Sequence, residues 1–340
     1  MFIFIIISYL VLFVFCSEFF TFPIDVLQDP KGIQNHFLTL KNVSIRNCEV
    51  EGIFCLNGHG MIGHQVSLSL EDLVLKNLPQ MTYIWVASKN SVNLQHLTNL
   101  KIMGCAKLKV IFPPSVLRSL SELKRLIIEE CMELRQIVGC EEGAPKNSFT
   151  FSNLKRLEII GCAKLEVVFP KSVLRCLPEL NLVKIRKCKE LRQIIEKDVE
   201  DKTLSSLLSP QPFFPNLEAL YVGHCHKLKR FISGSTSNDL PNLHLLIING
   251  ASELQELVGC DKIGNTKAKL PRLKLLIFMH LSNFDQEIEL SNLKNSVVYE
   301  CPKLSLTPTT TFGELKETFP YKGEYYIESS NINCLHVNNS

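Results

Sequence analysis

The chain lacks the short motifs that usually mark catalytic or nucleotide-binding chemistry. It has no G-x-x-x-x-G-K-[ST] or G-x-G-x-x-G phosphate cradle, no H-E-x-x-H zinc pair and no G-x-S-x-G nucleophile turn. It also has no C-x-x-C pair. The net charge of +3 is too close to balance for a dedicated nucleic-acid binder. Disorder is equally disfavoured, because 46% apolar residues over 340 positions supply a large core. A folded chain with no converging reactive groups and no cofactor is expected, and no enzyme.

What the sequence does have is a repeated register. Leu120, Leu123, Leu126, Ile128, Cys131, Leu134 and Ile137 are apolar, with polar residues in most of the gaps. The centre, Leu126-x-Ile128, alternates with period two, as a short strand with one buried face should. The three-residue steps on either side bring the chain around a coil and back to the same core. A slot equivalent to Cys131 recurs at 48, 78, 105, 131, 162, 188, 225, 251, 281 and 301. The copies predict an α/β solenoid, a leucine-rich-repeat horseshoe of about ten irregular repeats. Short parallel strands should line its concave face, with loops and short helical turns on the return path. At about 4.8 Å per strand the inner face would be on the order of 45 Å long.

One pair of repeats was duplicated as a block. Gly104-Cys105-Ala106-Lys107-Leu108 recurs as Gly161-Cys162-Ala163-Lys164-Leu165, an offset of 57 residues. Ser115-Val116-Leu117-Arg118 recurs as Ser172-Val173-Leu174-Arg175 at the same offset and predicts a short helical segment on the return path. Three domains are expected: a hydrophobic segment and lead-in at 1–36, the repeat domain at 37–304 and a tail at 305–340. An insertion at 197–212 and shorter excursions at 141–147, 233–239 and 261–269 should bulge out as loops. The tail's YKGEYYIE stretch either adds a terminal strand or is irregular.

Seven of the thirteen cysteines (Cys48, Cys105, Cys131, Cys162, Cys188, Cys225 and Cys301) occupy the same slot. Stacked about 5 Å apart, they read as a ladder of buried, reduced thiols, which favours a cytoplasmic location. Phe2 to Cys16 pulls the other way. It is almost unbroken hydrophobe, about the length of a signal-peptide core and short for a bilayer span. No basic residue precedes it and no small-x-small cleavage site follows. A signal, a retained anchor and an artefact of the gene model all remain open, and a membrane association follows only if the segment functions. Cys48, Cys55, His59 and His64 are the nearest approach to a metal set, but their spacing fits no zinc pattern, and no metal is expected. His224 and His226 should flank an inward Cys225 as exposed turn residues.

Function should therefore sit on the strand residues that point away from the core. Lys101, Arg125, Glu129, Arg156, Glu158, Lys184, Arg186 and Tyr221 form the polar part of these rows. Val74, Ile127, Ile160, Ile247, Ile277 and Met279 are interspersed with them. Charged, aliphatic and aromatic groups mixed over one long surface suit protein recognition. A basic run at Lys107, Lys109, Lys164, Lys187, Lys189, Lys227, Lys229 and Arg230 is either a solvated rim or an attractor for an acidic partner.

The register L-x-x-L-x-I-x-x-C-x-x-L-x-x-I, as in Leu123–Ile137 and Leu180–Ile194, resembles the C-terminal repeats of plant disease-resistance proteins. These are intracellular receptors built from a coiled coil, a nucleotide-binding domain and leucine-rich repeats. Gly104–Phe112 (GCAKLKVIF), Glu130–Val138 (ECMELRQIV) and Lys187–Ile195 (KCKELRQII) carry the likeness, which covers about residues 37–304. The resemblance implies a non-catalytic interaction module in plant defence. It would recognise a pathogen effector, a guarded host protein or the nucleotide-binding domain of a related receptor. The family's nucleotide-binding signatures and coiled coil do not occur in this sequence, so a truncated or partial resistance protein is expected, and no catalytic residue carries over. The alternatives are a secreted or membrane-tethered repeat protein with an extracellular ligand, which would need a working leader and used sequons at Asn42 and Asn338, and a substrate-recognition adaptor.

Overall fold

The computed structural model describes residues 3–7, 10–14, 41–55, 66–67, 69–86, 92–117, 120–139, 151–169, 177–195, 212, 214–233, 240–259 and 267–309. Ten short strands make one parallel sheet in strict chain order. They are β1 (Asn42–Arg46), β2 (Asp72–Lys76), β3 (Asn99–Met103), β4 (Arg125–Glu129), β5 (Arg156–Ile160), β6 (Leu182–Arg186), β7 (Ala219–Gly223), β8 (Leu245–Asn249), β9 (Leu275–Met279) and β10 (Asn295–Tyr299). Every neighbouring pair is in the register that the repeats specify. Leu126, for example, pairs with Leu100 on one side and Leu157 on the other. Each inward column is therefore continuous, and Leu73, Leu100, Leu126, Leu157, Leu246 and Leu276 are all within 1% of full burial. A repeat on its own has too little apolar surface to fold, and stacking supplies the rest.

The three-residue steps are tight turns. Leu123 N–H donates to the Leu120 carbonyl at 3.3 Å, and Leu134 N–H donates to Cys131 at 3.2 Å. The same bond recurs from Leu154 to Phe151, Leu191 to Cys188 and Leu228 to Cys225. L-x-x-L thus places two leucines on the inner side of one turn, with the two intervening residues outside.

The return path is richer in strand than the sequence suggests. Short parallel pairings join Gly52–Cys55 to Tyr83–Val86 and Val110–Phe112 to Gln136–Val138. A further run links Val167–Phe169, Gln193–Ile195, Arg230–Ser233 and Glu256–Gly259. Among the described residues the helical contribution is one turn, α1 (Pro114–Leu117), close to the expected Ser115–Arg118 segment. Its duplicate at 172–175 lies outside the described residues, as do the excursion at 141–147 and all of the 197–212 insertion but its last position. Within the hydrophobic N-terminal stretch, Ile3–Ile7 and Leu10–Val14 pair antiparallel, and Val11 pairs with Cys55. No helix among the described residues is long and apolar enough to cross a membrane.

The residue just before the cysteine slot has positive φ in all ten repeats. Three are glycines (Gly104, Gly161 and Gly250). The other seven are Asn47, Asn77, Glu130, Lys187, His224, His280 and Glu300, at φ 51–55°. The left-handed turn is forced by spacing. Plain alternation after Ile128 would point residue 130 inward, but the inward residue is Cys131, so the chain must gain one residue before it. In return, in the nine repeats that have a following strand, the backbone N–H of the turn residue reaches the last carbonyl of that strand. Glu130 N–H donates to Ile160 at 2.8 Å, Lys187 N–H to Gly223 at 2.8 Å and His224 N–H to Asn249 at 2.7 Å.

Two predictions follow from this geometry. Leu157→Ala should lose about 2–5 kcal/mol in denaturant titration, because its column is closed on both sides. Gly161→Ala should cost about 1–2 kcal/mol through φ alone, since a Cβ there meets nothing closer than 3.5 Å, whereas Lys187→Gly should lose no stability.

Candidate functional site

The outward positions of the ten strands form three parallel rows. The central row runs Ser44, Val74, Lys101, Ile127, Glu158, Lys184, Tyr221, Ile247, Ile277, Val297. Arg125 and Arg156 stand in the row at the strand starts, and Glu129 and Arg186 in the row at the strand ends. All eight candidate residues therefore share one face. They do not all project into solvent as expected. Lys101, Glu129, Arg156 and Arg186 are half-buried and Arg125 is exposed, but Glu158, Lys184 and Tyr221 are buried.

Glu158 is the reason for part of this. Its carboxylate accepts from Arg156 Nε at 2.5 Å and faces Arg125 at 3.9 Å and Lys184 Nζ at 3.8 Å. One buried carboxylate thus holds three cations from three adjacent strands. The glutamate and Lys184 side chains are only 7% and 9% exposed, so solvent screens this cluster little. Tyr221, on the next strand, has its phenol pushed up by burial despite the nearby Arg156 guanidinium. Beyond Tyr221 the face becomes apolar.

The expected basic rim is partly neutralised. Two residues after the cysteine slot, acidic and basic residues alternate from repeat to repeat, and they pair across it. Lys164 meets Glu133 at 2.7 Å and Lys227 meets Glu190 at 2.7 Å. Lys107 donates to Gln80 at 2.5 Å in the same row. These contacts are exposed and screened by solvent, so they fix no site. Reading along one repeat hid the alternation; reading down the column of equivalent positions would have shown it.

The seven ladder cysteines are buried free thiols. Each donates to the carbonyl two residues earlier, for instance Cys48 Sγ to Arg46 at 2.9 Å and Cys188 Sγ to Arg186 at 3.4 Å. Hydrogen bonding to Cys131, with burial, pushes the Cys105 thiol up. The Cys225 thiol and burial do the same at Cys188. Buried and held protonated, Cys105 and Cys188 are poor nucleophiles. Among the described residues no group of three His, Cys, Asp or Glu could hold a metal ion; His59 and His64 lie outside them. His224 and His226 flank the inward Cys225, their rings 6.4 Å apart, and burial pulls the His224 imidazole down.

A family model described as plant disease resistance protein RPS2-like, leucine-rich repeats, matches residues 25–132 and 133–210, together more than half of the chain. The chain belongs to this family. It is also similar to the disease resistance protein UNI of Arabidopsis thaliana, 25% identical over 259 residues. That alignment covers 69% of this chain but 26% of the relative, so the chain spans about a quarter of the length of the protein it matches. No solved structure matches. Past residue 210 the resistance-protein repeat continues in the structure itself, through β7 to β10 in unbroken register.

In this resistance-protein repeat domain, Glu158→Ala should cost more stability than loss of any one of its three cations, on the order of 3–5 kcal/mol in thermal or denaturant melts. Alkylation of Cys105 and Cys188 at pH 8 should track global unfolding. Labelling as fast as that of a free thiol would refute the buried ladder.

Proposed function

We propose that this repeat domain recognises a protein through the outer face of β3–β7 and acts in plant defence without catalysing a reaction. The observation that carries the reading is the composition of that face. The outward residues of β3–β6 place five cations (Lys101, Arg125, Arg156, Lys184 and Arg186) around two carboxylates (Glu129 and Glu158). The cationic zone abuts the apolar zone that begins at Tyr221. Such a surface suits an acidic protein with an apolar anchor, where charge steers the encounter and apolar burial holds the complex. A pathogen effector, a guarded host protein and the nucleotide-binding domain of a related receptor are the candidates that family membership brings. Buried free thiols suit a reducing compartment, in keeping with a cytoplasmic site of action.

Lys184 is a poor probe of this face, because Lys184→Glu would bury two carboxylates together and unfold the sheet locally. Lys101 and Arg125 are the better choices. The double variant Lys101→Glu/Arg125→Ser removes the most distant and most exposed of the three cations around Glu158 without adding a carboxylate beside it, so it should keep the wild-type circular dichroism and lose less stability than Glu158→Ala. In quantitative co-purification from pathogen-challenged plant tissue it should lose, about tenfold or more, a partner that a Lys109→Glu control retains. A partner set identical for all three proteins would sink the assignment of this face.

A further inference from the structure

On the outer face of β4 and β5, Arg125 and Arg156 stand directly opposite each other on adjacent strands. Like charges so placed, about 4.8 Å apart, repel and destabilise a sheet. Glu158 holds them together, and the way it does so leaves most of their donors unused. Arg156 gives the carboxylate its Nε alone, and its two Nη groups have no hydrogen-bond partner among the described residues. Arg125 stays 3.9 Å from the same oxygen, too far to donate. The other oxygen, Oε2, faces Lys184 Nζ at 3.8 Å. The two arginine side chains are 47% and 36% exposed, whereas the carboxylate that gathers them is 7% exposed. Lys101 stands two strands from Glu158 in the same row, and its ammonium has no partner among the described residues. Ile127 lies between the two and is 6% exposed, an apolar floor framed by Lys101, Arg125 and Arg156.

We propose that Lys101, Arg125 and Arg156 form a receptor for one phosphomonoester dianion, carried on a phosphorylated side chain of the protein partner. Charge sets the valence. Arg186 leans away over Gly223, its Nε 3.6 Å from where a Cβ would stand there. The remaining outward residues of β3–β6 carry four cations (Lys101, Arg125, Arg156 and Lys184) and two carboxylates (Glu129 and Glu158), an excess of two. A phosphorylated serine, threonine or tyrosine brings a charge of about −1.5 to −2 and three acceptor oxygens, enough for both arginine forks and the lysine. An aspartate or glutamate brings a single charge and leaves part of the excess in place. A nucleic-acid backbone fits worse. Its phosphates carry one charge each and call for a continuous cationic stripe. Here Met103, Ile160 and Leu182 interrupt the face on β3, β5 and β6. The anion site stands on this geometry. That the phosphate arrives on a protein rests on the recognition face proposed above.

The test titrates the full chain by calorimetry with a heptapeptide that carries one central phosphoserine between alanines. The same peptide with serine, glutamate or O-sulfoserine at its centre, and inorganic phosphate, are the comparators. The phosphoserine peptide should bind about tenfold or more tightly than the glutamate and sulfate forms, the worth of one further charge-assisted hydrogen bond. Lys101→Glu/Arg125→Ser should lose that preference, Arg125→Lys should keep part of it, and Lys109→Glu should keep all of it. Equal binding of the phosphoserine and glutamate peptides, or a preference that survives the double variant, would overturn the site. Inorganic phosphate bound as tightly as the phosphopeptide would overturn a phosphate presented on a protein chain. If the peptides fail while the double variant still loses its co-purified partner, the recognition face stands without the phosphate. If the phosphopeptide binds as expected and the double variant retains every co-purified partner, the anion site stands and the recognition face falls.

Discussion

The structure depends on one turn, repeated ten times. After each strand the chain passes through a left-handed residue that gives up its own conformational comfort for two gains. Its N–H extends the inter-strand ladder by one rung wherever another strand follows, nine times in all, and the residue after it is aimed at the core. In L-amino acids that conformation costs on the order of 1–2 kcal/mol. Seven repeats bear the cost with a side chain in place, and three avoid it with glycine. What offsets it is local and closed. The rung measures 2.7–3.0 Å, and in seven repeats the next residue is a thiol with no exposure above 8% that returns a hydrogen bond to the strand it has just left. Because the offset needs the neighbouring strand, no coil is stable alone, and the array stands or falls through its nearest neighbours.

This explains how much of the fold was legible. Ten strands and their register follow from Leu-x-Ile and the cysteine slot, since a one-residue slip would turn every buried leucine outward. The left-handed turn was legible too, in the spacing. Ile128 to Cys131 is three steps where alternation allows two or four, and glycine or asparagine stands before the slot in five repeats. The strands of the return path were not. Val110-Ile111-Phe112 and Gln136-Ile137-Val138 are too short to show a period, and only the stacking of one coil on the next brings them within pairing distance.

The outer face was half legible for a different reason. Period two identifies which residues point away from the core but says nothing about what lies over them. Glu158, Lys184 and Tyr221 were placed on the correct face and given the wrong environment. Their burial is a property of the whole face. One carboxylate gathers Arg125, Arg156 and Lys184 because strands in register bring three repeats' equivalent positions side by side. The charge alternation in the row beyond the cysteine slot arises the same way. Both are contacts between residues about 30 apart that sit at the same step of successive coils, so they appear only when the sequence is stacked by repeat.

A solenoid closes its core sideways, through the next coil, and leaves two problems at its ends. The last strand has an open edge, and any apolar row on the outer face has no partner in the repeat itself. Here the two problems meet at β10. Ser296 stands in the column where the other repeats keep leucine or valine, is fully buried, and binds Thr309 through both its backbone and its hydroxyl. A polar residue in that column weakens the apolar stack, but it captures the chain just as the chain leaves the edge. The capture blocks pairing by another molecule at that edge. The leucine repeat gives way to Ser296 at the strand where lateral stacking has run out, and a polar residue there serves the exposed edge better than another leucine would.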